Sequence, residues 1–510
     1  MKYRLTLIIL LYIPTAFSRP ANLLVIQTDE HNFRTLGCYR DTLSPEQAFI
    51  WGKEAFVETP HIDWLADHGA LCTSFYATTP VCSPSRAALI SGQYPHNTPT
   101  HSNNIPLGND VVTFAELLKK QGYRTGYIGK WHLDGGGKPQ WAPDRNFGFE
   151  DNRYMFNRGH WKKFEDTPNG PRVAARDQND KPNYNLDAAD DKSFATDWLC
   201  DKTIDFIKAD PSKPFCMMLA IPDPHGPNTV RPPYDTMFDH TKIELPRTMV
   251  NPGDPPQWGA AMIRTLKQQS MAQYFGMVKC IDDKVGDIID ALRKTKQLEH
   301  TMIIFTSDHG DLCGEHCRQN KGNPYEASAK VPFIMYYPPK IKKGLVIDEA
   351  LSCVDFLPTV FSILGYTTAG REEGRDASAL FTTGKAPADW HDLAFLRATG
   401  DETSGNAWLC AVSDRYKLVI ARQADPWFFD LENDPDEIIN GASNPAYREI
   451  IREYSQALQD YAEQFLDPFL DIEIIATDIA WGISDSTAYT STRPSKSAEK
   501  KKSGRKKKNK

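Results

Sequence analysis

The sequence predicts an α/β protein with a mostly parallel sheet flanked by helices, followed by a smaller C-terminal α+β subdomain that carries an antiparallel sheet. Short apolar, β-rich runs alternate with helical patterns along much of the chain, which is typical of a parallel sheet buried on both faces. Each of these runs ends at charged or polar residues. Beyond about residue 385 the pattern changes to closely spaced short strands and a closing helix.

Four apolar runs are predicted to be strands of the main sheet, at residues 23–28, 125–128, 215–221 and 302–307. In open α/β sheets, ligands bind outside the carboxyl ends of the strands. The polar side chains that follow the four runs are therefore predicted to meet at one site. They are Asp29 and Glu30, Lys130 and His132, His225, and Asp308 and His309.

Two helical patterns separate these strands. A capping box at Thr113 and Glu116 starts the first helix, and Gly122 ends it. Before the fourth strand, apolar residues recur at helical spacing over residues 274–292, which predicts a long helix with one buried face.

The remaining segments are predicted to be loops and a second unit. The long irregular stretches 134–192 and 222–256, the second with nine prolines, are expected to form pocket walls. Short strands at 408–412, 416–421 and 427–431 and a helix at 447–465 predict the C-terminal subdomain. The resulting boundaries are a leader at 1–18, a main domain at 19–385, a subdomain at 386–483 and a basic tail at 484–510.

Length and composition indicate an ordinary globular protein. The chain has 510 residues, 40% hydrophobic and 25% charged, which excludes a mostly disordered, fibrous or multi-span membrane protein. Residues 493–510 hold ten Lys or Arg and one Glu, a charge of +9, which leaves −16 for the rest of a chain of net charge −7. Such an acidic body is not a nucleic-acid binder. The stretch from Ser484 is interpreted as a solvated tail, and a tether to an anionic polymer is the alternative.

The first 18 residues are predicted to be a secretory signal peptide. Lys2 and Arg4 precede an apolar run at residues 5–13, and Ala16 and Ser18 match the −3 and −1 positions of a cleavage site. A membrane anchor is the alternative, but this run is shorter than the roughly 20 residues that span a bilayer. We therefore expect an exported protein, periplasmic or secreted, without a transmembrane segment. The pairing of its ten cysteines stays open.

A short helix that ends at Ser91 is predicted to follow Cys82, which stands just before its N-terminus. Pro84 suits the start of a helix, and Gly92 suits its end. Backbone N–H groups and the positive end of the helix dipole favour an anion there, and Arg86 adds a fixed cation. A buried structural cysteine beside a helix cap is the alternative interpretation.

The sequence around Cys82 resembles the signature of the type I sulfatases, formylglycine-dependent enzymes of the alkaline-phosphatase-like superfamily. The resemblance covers roughly residues 20 to 440 in the family's order. It is carried by Pro80-Val81-Cys82-Ser83-Pro84-Ser85-Arg86, Ser91-Gly92-Gln93-Tyr94-Pro95, Gly129-Lys130-Trp131-His132-Leu133, Ser307-Asp308-His309-Gly310-Asp311, Gly314-Glu315-His316, Lys321 ahead of Tyr325-Glu326, and Asp430-Leu431-Glu432-Asn433-Asp434-Pro435.

This resemblance implies an alkaline-phosphatase-like fold and a modified residue. A formylglycine-generating maturation enzyme would oxidise Cys82 to formylglycine, whose hydrate supplies a nucleophilic hydroxyl. One divalent cation per chain, calcium rather than magnesium, would be held by Asp29, Glu30, Cys82, Asp308 and His309. Glu30 stands where a second Asp is commoner, so direct ligation, ligation through water and no ligation all stay open. His309 stands where many relatives have Asn.

The resemblance also implies roles for the remaining residues. Arg86, Lys130 and Lys321 would clamp the sulfate, with His132 as a base and His225 as the leaving-group acid beside Lys321. Asp308 is a further candidate for the hydroxyl proton. Without the motifs, the acids would be loop caps, His132 a core histidine, and the two lysines solvated surface charges.

The predicted activity is that of a sulfuric ester hydrolase. A sulfated carbohydrate is the expected substrate, because export, the long loops and a basic tail suit an anionic glycan. A phosphate or phosphonate ester hydrolase of the same superfamily is the first alternative. If Cys82 stays a thiol, a non-catalytic binder of sulfated glycans is the second.

Overall fold

A computed structural model describes residues 20–250, 256, 258, 262–486, 488–491 and 493. The predicted signal peptide at residues 1–18 and the end of the basic tail, residues 494–510, lie outside the described residues. Among the helices that are described, none is both long and apolar enough to cross a membrane. All ten cysteines are buried and unpaired.

The described residues form a large sheet, a smaller C-terminal sheet and two two-stranded sheets. The strands are β1 (Asn22–Asp29), β2 (Ala70–Cys72), β3 (Phe75–Tyr76), β4 (Arg124–Lys130), β5 (Met155–Phe156), β6 (Phe164–Thr167), β7 (Gly170–Val173), β8 (Phe215–Pro224), β9 (Thr301–Ser307), β10 (Phe333–Tyr336), β11 (Leu345–Ile347), β12 (Leu351–Ser352), β13 (Ala394–Arg397), β14 (Trp408–Val412), β15 (Tyr416–Ala421) and β16 (Trp427–Asp430).

The large sheet has eight strands in the order β11-β2-β10-β9-β1-β8-β4-β5. Among its described strands, β10 runs antiparallel to both neighbours, and the other pairings are parallel. The four predicted strands are the contiguous centre β9-β1-β8-β4, so the predicted fold class is confirmed. Their carboxyl ends, which carry Asp308, Asp29, His225 and Lys130, therefore lie side by side.

Alternation along β1 sends side chains to two cores. Leu23 and Val25 pack into one apolar cluster, and Leu24 and Ile26 pack into another on the opposite face. All four side chains are fully buried. A strand buried on both faces reads as a continuous apolar run, which is why this strand is visible in the sequence.

Helices lie on both faces of the large sheet, and two further helices belong to the C-terminal subdomain. The helices are α1 (Gly37–Arg40), α2 (Pro45–Ala48), α3 (Pro60–Asp67), α4 (Cys82–Ser91), α5 (Phe114–Lys120), α6 (Ala195–Ala209), α7 (Tyr234–Met237), α8 (Arg247–Val250), α9 (Gln268–Lys294), α10 (Glu326–Ala329), α11 (Phe356–Leu364), α12 (Ser378–Thr383), α13 (Arg448–Gln464) and α14 (Glu473–Ile483). The predicted N-cap of α5 is present, since the Thr113 side chain accepts from the Glu116 N–H at 3.2 Å. The predicted long helix corresponds to α9.

The C-terminal subdomain is an antiparallel sheet in the order β13-β14-β15-β16, with α13 and α14 packed together beside it. Strand β13 and helix α14 were not expected from the sequence. The stretch 134–192 is also more ordered than predicted, because β5 joins the large sheet and β6 pairs with β7. These strands are only two to four residues long, too short for a periodic pattern to show.

The beginning of the predicted tail packs on the C-terminal subdomain rather than standing in solvent. Arg493 pairs with Asp478 at 2.5 Å and with Asp425 at 3.1 Å. Trp481 meets Tyr489 edge-on, with 4.9 Å between ring centroids. The folded body therefore extends past residue 483, the predicted boundary.

Candidate active site

Cys82 is the first residue of α4 and lies at the carboxyl edge of the large sheet. Val81 precedes it with extended backbone, Pro84 occupies the first turn, and Gly92 ends the helix at φ 71°. The sequence placed Cys82 one position earlier, just outside the helix. The side chain is 2% exposed, so solvent barely reaches it in this conformation.

Arg86, one turn further along α4, joins two strand ends. Its Nη2 lies 3.0 Å from Asp29 Oδ2, and its Nε lies 2.8 Å from Asp308 Oδ2. A third bond runs from Nη1 to the carbonyl oxygen of Lys130 at 2.8 Å. Burial alone would lower the pKa of Arg86, but the carboxylates of Asp308 and Asp29 raise it above its ordinary value. The guanidinium therefore stays charged and holds both carboxylates in one orientation.

Four side chains leave donor atoms around a common point. Donor atoms of Asp29, Cys82, Asp308 and His309 all lie within 4.8 Å of one another. Arg86 occupies the Oδ2 atoms of both aspartates, while their Oδ1 atoms lie 3.8 Å and 3.4 Å from His309 Nε2. Two carboxylate oxygens and a ring nitrogen are a donor set that fits a divalent cation.

His309 is oriented for ligation by its other ring nitrogen. Nδ1 lies 3.0 Å from the carbonyl oxygen of Gly310, which can only accept, so Nδ1 carries a hydrogen and Nε2 faces the cluster. Burial would lower the pKa of His309, but the Asp308 carboxylate raises it to about 9. Without a cation, Nε2 therefore holds a proton at neutral pH, and a cation would displace that proton.

Glu30 lies apart from this group of four. It adopts a left-handed backbone with φ 64°, and its carboxylate is 3.0 Å from His225 Nε2 and 3.3 Å from Lys321 Nζ. Burial raises its pKa, but His225 and Lys321 lower it to about 2, so the carboxylate stays charged. Of the three possibilities left open for Glu30, this geometry favours a hydrogen-bond partner of His225 and Lys321 over a direct ligand of the ion.

His225 presents one nitrogen to the site. Its Nδ1 lies 2.8 Å from the carbonyl oxygen of Gly226 and therefore carries a hydrogen. Its Nε2 faces the site, 2.7 Å from Lys321 Nζ and 3.0 Å from the Glu30 carboxylate. The side chains of His225 and Lys321 are 18% and 15% exposed, whereas Lys130 is fully buried. The pocket therefore opens on the side of His225 and Lys321.

Lys130 extends from the end of β4 into the site. Its ammonium is hydrogen-bonded to Asp29 Oδ2 and lies 2.7 Å from Nε2 of His160. His160 is not among the residues predicted for the site from the sequence. It stands inside an irregular segment, follows no predicted strand and belongs to none of the motifs, so no local signal marks it.

His132 lies beside Cys82 in the left-handed backbone region, with φ 59°. Ser83 Oγ donates to its carbonyl oxygen at 2.7 Å, which ties the loop after β4 to α4. Neither ring nitrogen makes a regular hydrogen bond to the described residues, and the Cys82 thiol is a polar neighbour of the ring. Burial lowers the pKa of His132 to about 4, so the neutral ring is available to accept a proton.

The site favours negative charge at residue 82. Burial by itself would raise the pKa of the Cys82 thiol, but Lys130, Lys321 and His309 hold it well below its ordinary value. An anion formed or bound at this point is stabilised by the same cations. With a reactive group, a cation site and proton donors together, the pocket is suited to hydrolysis of an anionic ester.

Comparison with protein families gives two matches. The model of the family described as Sulfatase covers residues 21–366. The model described as N-sulphoglucosamine sulphohydrolase, C-terminal, covers residues 314–464. Together the two matches include the large sheet and the C-terminal sheet.

One curated relative and two solved structures are similar to this chain over most of their lengths. An N-acetylglucosamine-6-O-sulfatase of Bacteroides thetaiotaomicron is 26% identical over 525 aligned positions, covering 88% of this chain and 87% of the relative. A solved structure in complex with its substrate D-glucosamine-2-N,6-O-disulfate has a TM-score of 0.72 at 22% identity and covers 90% of this chain and 99% of its own. A phosphonate monoester hydrolase from Silicibacter pomeroyi has a TM-score of 0.65 at 23% identity, covering 88% and 96%. These two structures share the fold.

Proposed function

We propose that this chain, which belongs to the sulfatase family and is a sulfatase, releases sulfate from a sulfated carbohydrate. In this proposal residue 82 acts as formylglycine, made from Cys82 by a maturation enzyme, next to a divalent cation. The observation that carries the proposal is the position of Cys82, at a helix N-terminus within 4.8 Å of three further donor atoms. Three cations, Arg86, Lys130 and Lys321, surround the same point.

The divalent cation and the formylglycine would be held by residues at the carboxyl edge of the large sheet. Asp29, Asp308, His309 and residue 82 would hold the cation, with calcium as the proposed ion, and it would polarise the sulfate oxygens as a Lewis acid. The hydrated aldehyde of formylglycine would supply a hydroxyl nucleophile. Glu30 would balance the charge of His225 and Lys321 instead of ligating the ion.

The protein's own side chains bind and orient the ester. Lys130 and Lys321 stand on two sides of the pocket and would screen the non-bridging oxygens of the sulfate. Arg86 keeps both aspartates in position and contributes positive charge from behind them. Because sulfate hydrolysis builds negative charge on oxygen, fixed cations in a buried site lower the barrier more than they would in water.

Two histidines would move the protons. His225 Nε2 faces the open side of the pocket, where the leaving oxygen of a bound ester would stand, and would donate a proton to it. His132 is neutral and adjacent to residue 82, so it would accept a proton from the nucleophile side. The roles follow from position, since one ring lies towards solvent and the other lies beside the helix.

The carbohydrate substrate rests on relatives and on the sequence. The Bacteroides relative is named for a sulfated amino sugar, and the substrate-bound structure holds one. The leader predicted at residues 1–18 and the basic sequence of residues 493–510 would suit an exported protein that meets an anionic glycan.

A phosphonate or phosphate ester hydrolase is the second candidate. The observation in its favour is the shared fold of the phosphonate monoester hydrolase. Assays of 4-nitrophenyl sulfate, 4-nitrophenyl phosphate and 4-nitrophenyl methylphosphonate, which share one leaving group, distinguish the two. We expect the sulfate ester to have the highest kcat/KM, and a higher value for either phosphorus ester would reject the sulfatase assignment.

Mass spectrometry and one substitution test the nucleophile. We expect the peptide around residue 82 of the active protein to carry an aldehyde in place of the thiol. Cys82→Ala should lose activity to background, whereas Cys216→Ala, which removes another fully buried thiol, should keep it. An unmodified thiol in fully active protein, or an active Cys82→Ala variant, would contradict the proposed nucleophile. An unmodified thiol in a protein without turnover would leave glycan binding as the alternative.

A further inference from the structure

His160 contacts two residues of the site at once. Its ring lies flat on that of His225, with 3.4 Å between centroids and 7° between planes. Its Nε2 is 2.7 Å from the ammonium of Lys130. A single side chain therefore links the residue assigned to the leaving group with a residue assigned to the sulfate.

The direction of the hydrogen bond follows from its partner. A lysine ammonium has only hydrogens to offer, so Nε2 of His160 accepts and its hydrogen lies on Nδ1. Nε2 of His225 likewise faces the ammonium of Lys321. In both rings the nitrogen that faces the site lies within hydrogen-bond distance of a lysine, and Nε2 of His225 also lies 3.0 Å from the Glu30 carboxylate.

This pairing argues against a second cation site. Donor atoms of Asp29, His160 and His225 do lie within 4.8 Å of one another, as they would around a metal. However, Lys130 stands against Asp29 and His160, and Lys321 stands against His225. Two ammonium groups next to these donors repel a further cation, so the cluster is organised for hydrogen bonding and stacking.

The segment that carries His160 is held rigidly between β5 and β6. The Trp161 indole donates to the carbonyl oxygen of Arg158 at 2.9 Å and stacks on Tyr184, with 4.9 Å between centroids. Lys162 is fully buried and donates to Asp223 at 2.5 Å and to the carbonyl oxygen of His225 at 2.9 Å. His160 therefore stacks on the ring of His225, and Lys162, two residues later, binds the backbone carbonyl oxygen of His225.

We propose that His160 is a positioning residue of this site: its ring keeps His225 aimed at the leaving oxygen, and its Nε2 keeps Lys130 aimed at the sulfate. The inference rests on the proposed roles of His225 and Lys130. The two functions use different features of the imidazole, the flat ring and the acceptor nitrogen, so two substitutions separate them.

The test uses two variants and a series of substituted phenyl sulfates, from 4-nitrophenyl sulfate with the best leaving group to 4-methylphenyl sulfate with the poorest. H160Q keeps an acceptor for Lys130 and loses the ring. We expect its kcat/KM to fall at least about tenfold more for the poorest leaving group than for the best, a fraction of the roughly 10²–10⁴-fold that a positioned acid contributes. The leaving-group dependence should therefore become steeper.

H160F keeps the flat ring and loses the acceptor. We expect a fall in kcat/KM of similar size for every ester in the series, seen mainly as a higher KM, with the leaving-group dependence of the wild type. Thermal unfolding of both variants checks that they fold, and a crystal structure of H160Q should show the His225 ring displaced.

Wild-type kinetics in both variants, or an unchanged leaving-group dependence in H160Q, would overturn the inference. If H160Q does not fold, a steeper leaving-group dependence in H160F, whose stacking ring is intact, would overturn it equally. Different measurements would show that the proposed function is wrong: no turnover by the wild type, or activity of the Cys82→Ala variant.

Discussion

At the scale of single residues, buried charge organises the pocket before any ligand arrives. Asp29 and Asp308 are fully buried, which is costly for carboxylates unless cations neutralise them. Arg86 takes the Oδ2 atom of each, and Lys130 also binds that of Asp29. Because these bonds occupy one side of each carboxylate, the Oδ1 atoms remain for a cation on the other side.

Because Asp308 offers Oδ1 to the cation and Glu30 binds His225 and Lys321, the two carboxyl groups are predicted to contribute differently to calcium affinity. Asp308→Asn should weaken calcium affinity by more than about 100-fold, since an Oδ1 ligand loses its charge. Glu30→Gln should cost no more than the roughly 10–100-fold typical of groups outside the ligand shell. Isothermal titration calorimetry with calcium measures both, and equal losses in the two variants would show that Glu30 is a ligand.

At the scale of elements, the stability of α4 depends on the glycine that ends it, Gly92. Gly92 stops the helix at φ 71°, where a side chain is strained, and its Cα–H faces Glu372 and Leu357. A Cβ at this position would come within 3.0 Å of the Glu372 Cβ and 3.3 Å of the Leu357 Cβ. Ending the helix here also sets the register of Cys82 and Arg86 against the strand ends.

A matched pair of glycine substitutions tests this point. Gly122, after α5, has φ 85° and nothing within 4 Å of a would-be Cβ, so Gly122→Ala should cost only the roughly 1–2 kcal/mol of left-handed backbone. Gly92→Ala should cost more, because the contacts add to the backbone strain. Urea unfolding gives the free energy of unfolding of both variants. Equal losses would mean that Glu372 and Leu357 move away from the added methyl group without cost.

At the scale of the whole molecule, a buried charge cluster joins the C-terminal sheet to helix α10. Lys417 on β15 is fully buried and lies 2.7 Å from both Glu326 and Glu437. It also donates to the carbonyl oxygen of Pro324 at 2.8 Å, in the chain segment that follows Lys321. The C-terminal subdomain thereby contacts the chain segment that carries Lys321.

This cluster predicts a pH dependence of stability. Burial raises the pKa of Glu437 to about 7 from an ordinary 4.5, although Lys417 opposes the shift. Between these values the folded protein keeps a proton that the unfolded chain has lost, so this contribution to stability falls as pH rises, by up to about 3 kcal/mol. Below pH 4.5 the contribution is fully present.

Glu437→Gln should remove this slope. Melting temperature measured from pH 5 to 8 should decline less in the variant than in the wild type. Glu463→Gln, at an exposed position of α13, is the control and should leave the profile unchanged. A profile of Glu437→Gln that follows the wild type would contradict the assignment of the proton to Glu437.

The central strands and the residues at their ends were predictable from the linear order alone, as were α4, α5 and α9. Burial of a strand on both faces and capping of a helix leave local patterns, and strands of one parallel sheet bring their ends together. The partners of Glu30, the stack of His160 on His225 and the contact of Arg493 with Asp478 emerged only in three dimensions. These contacts join residues distant in the chain, and the direction of each side chain depends on backbone torsions and packing that no local pattern encodes.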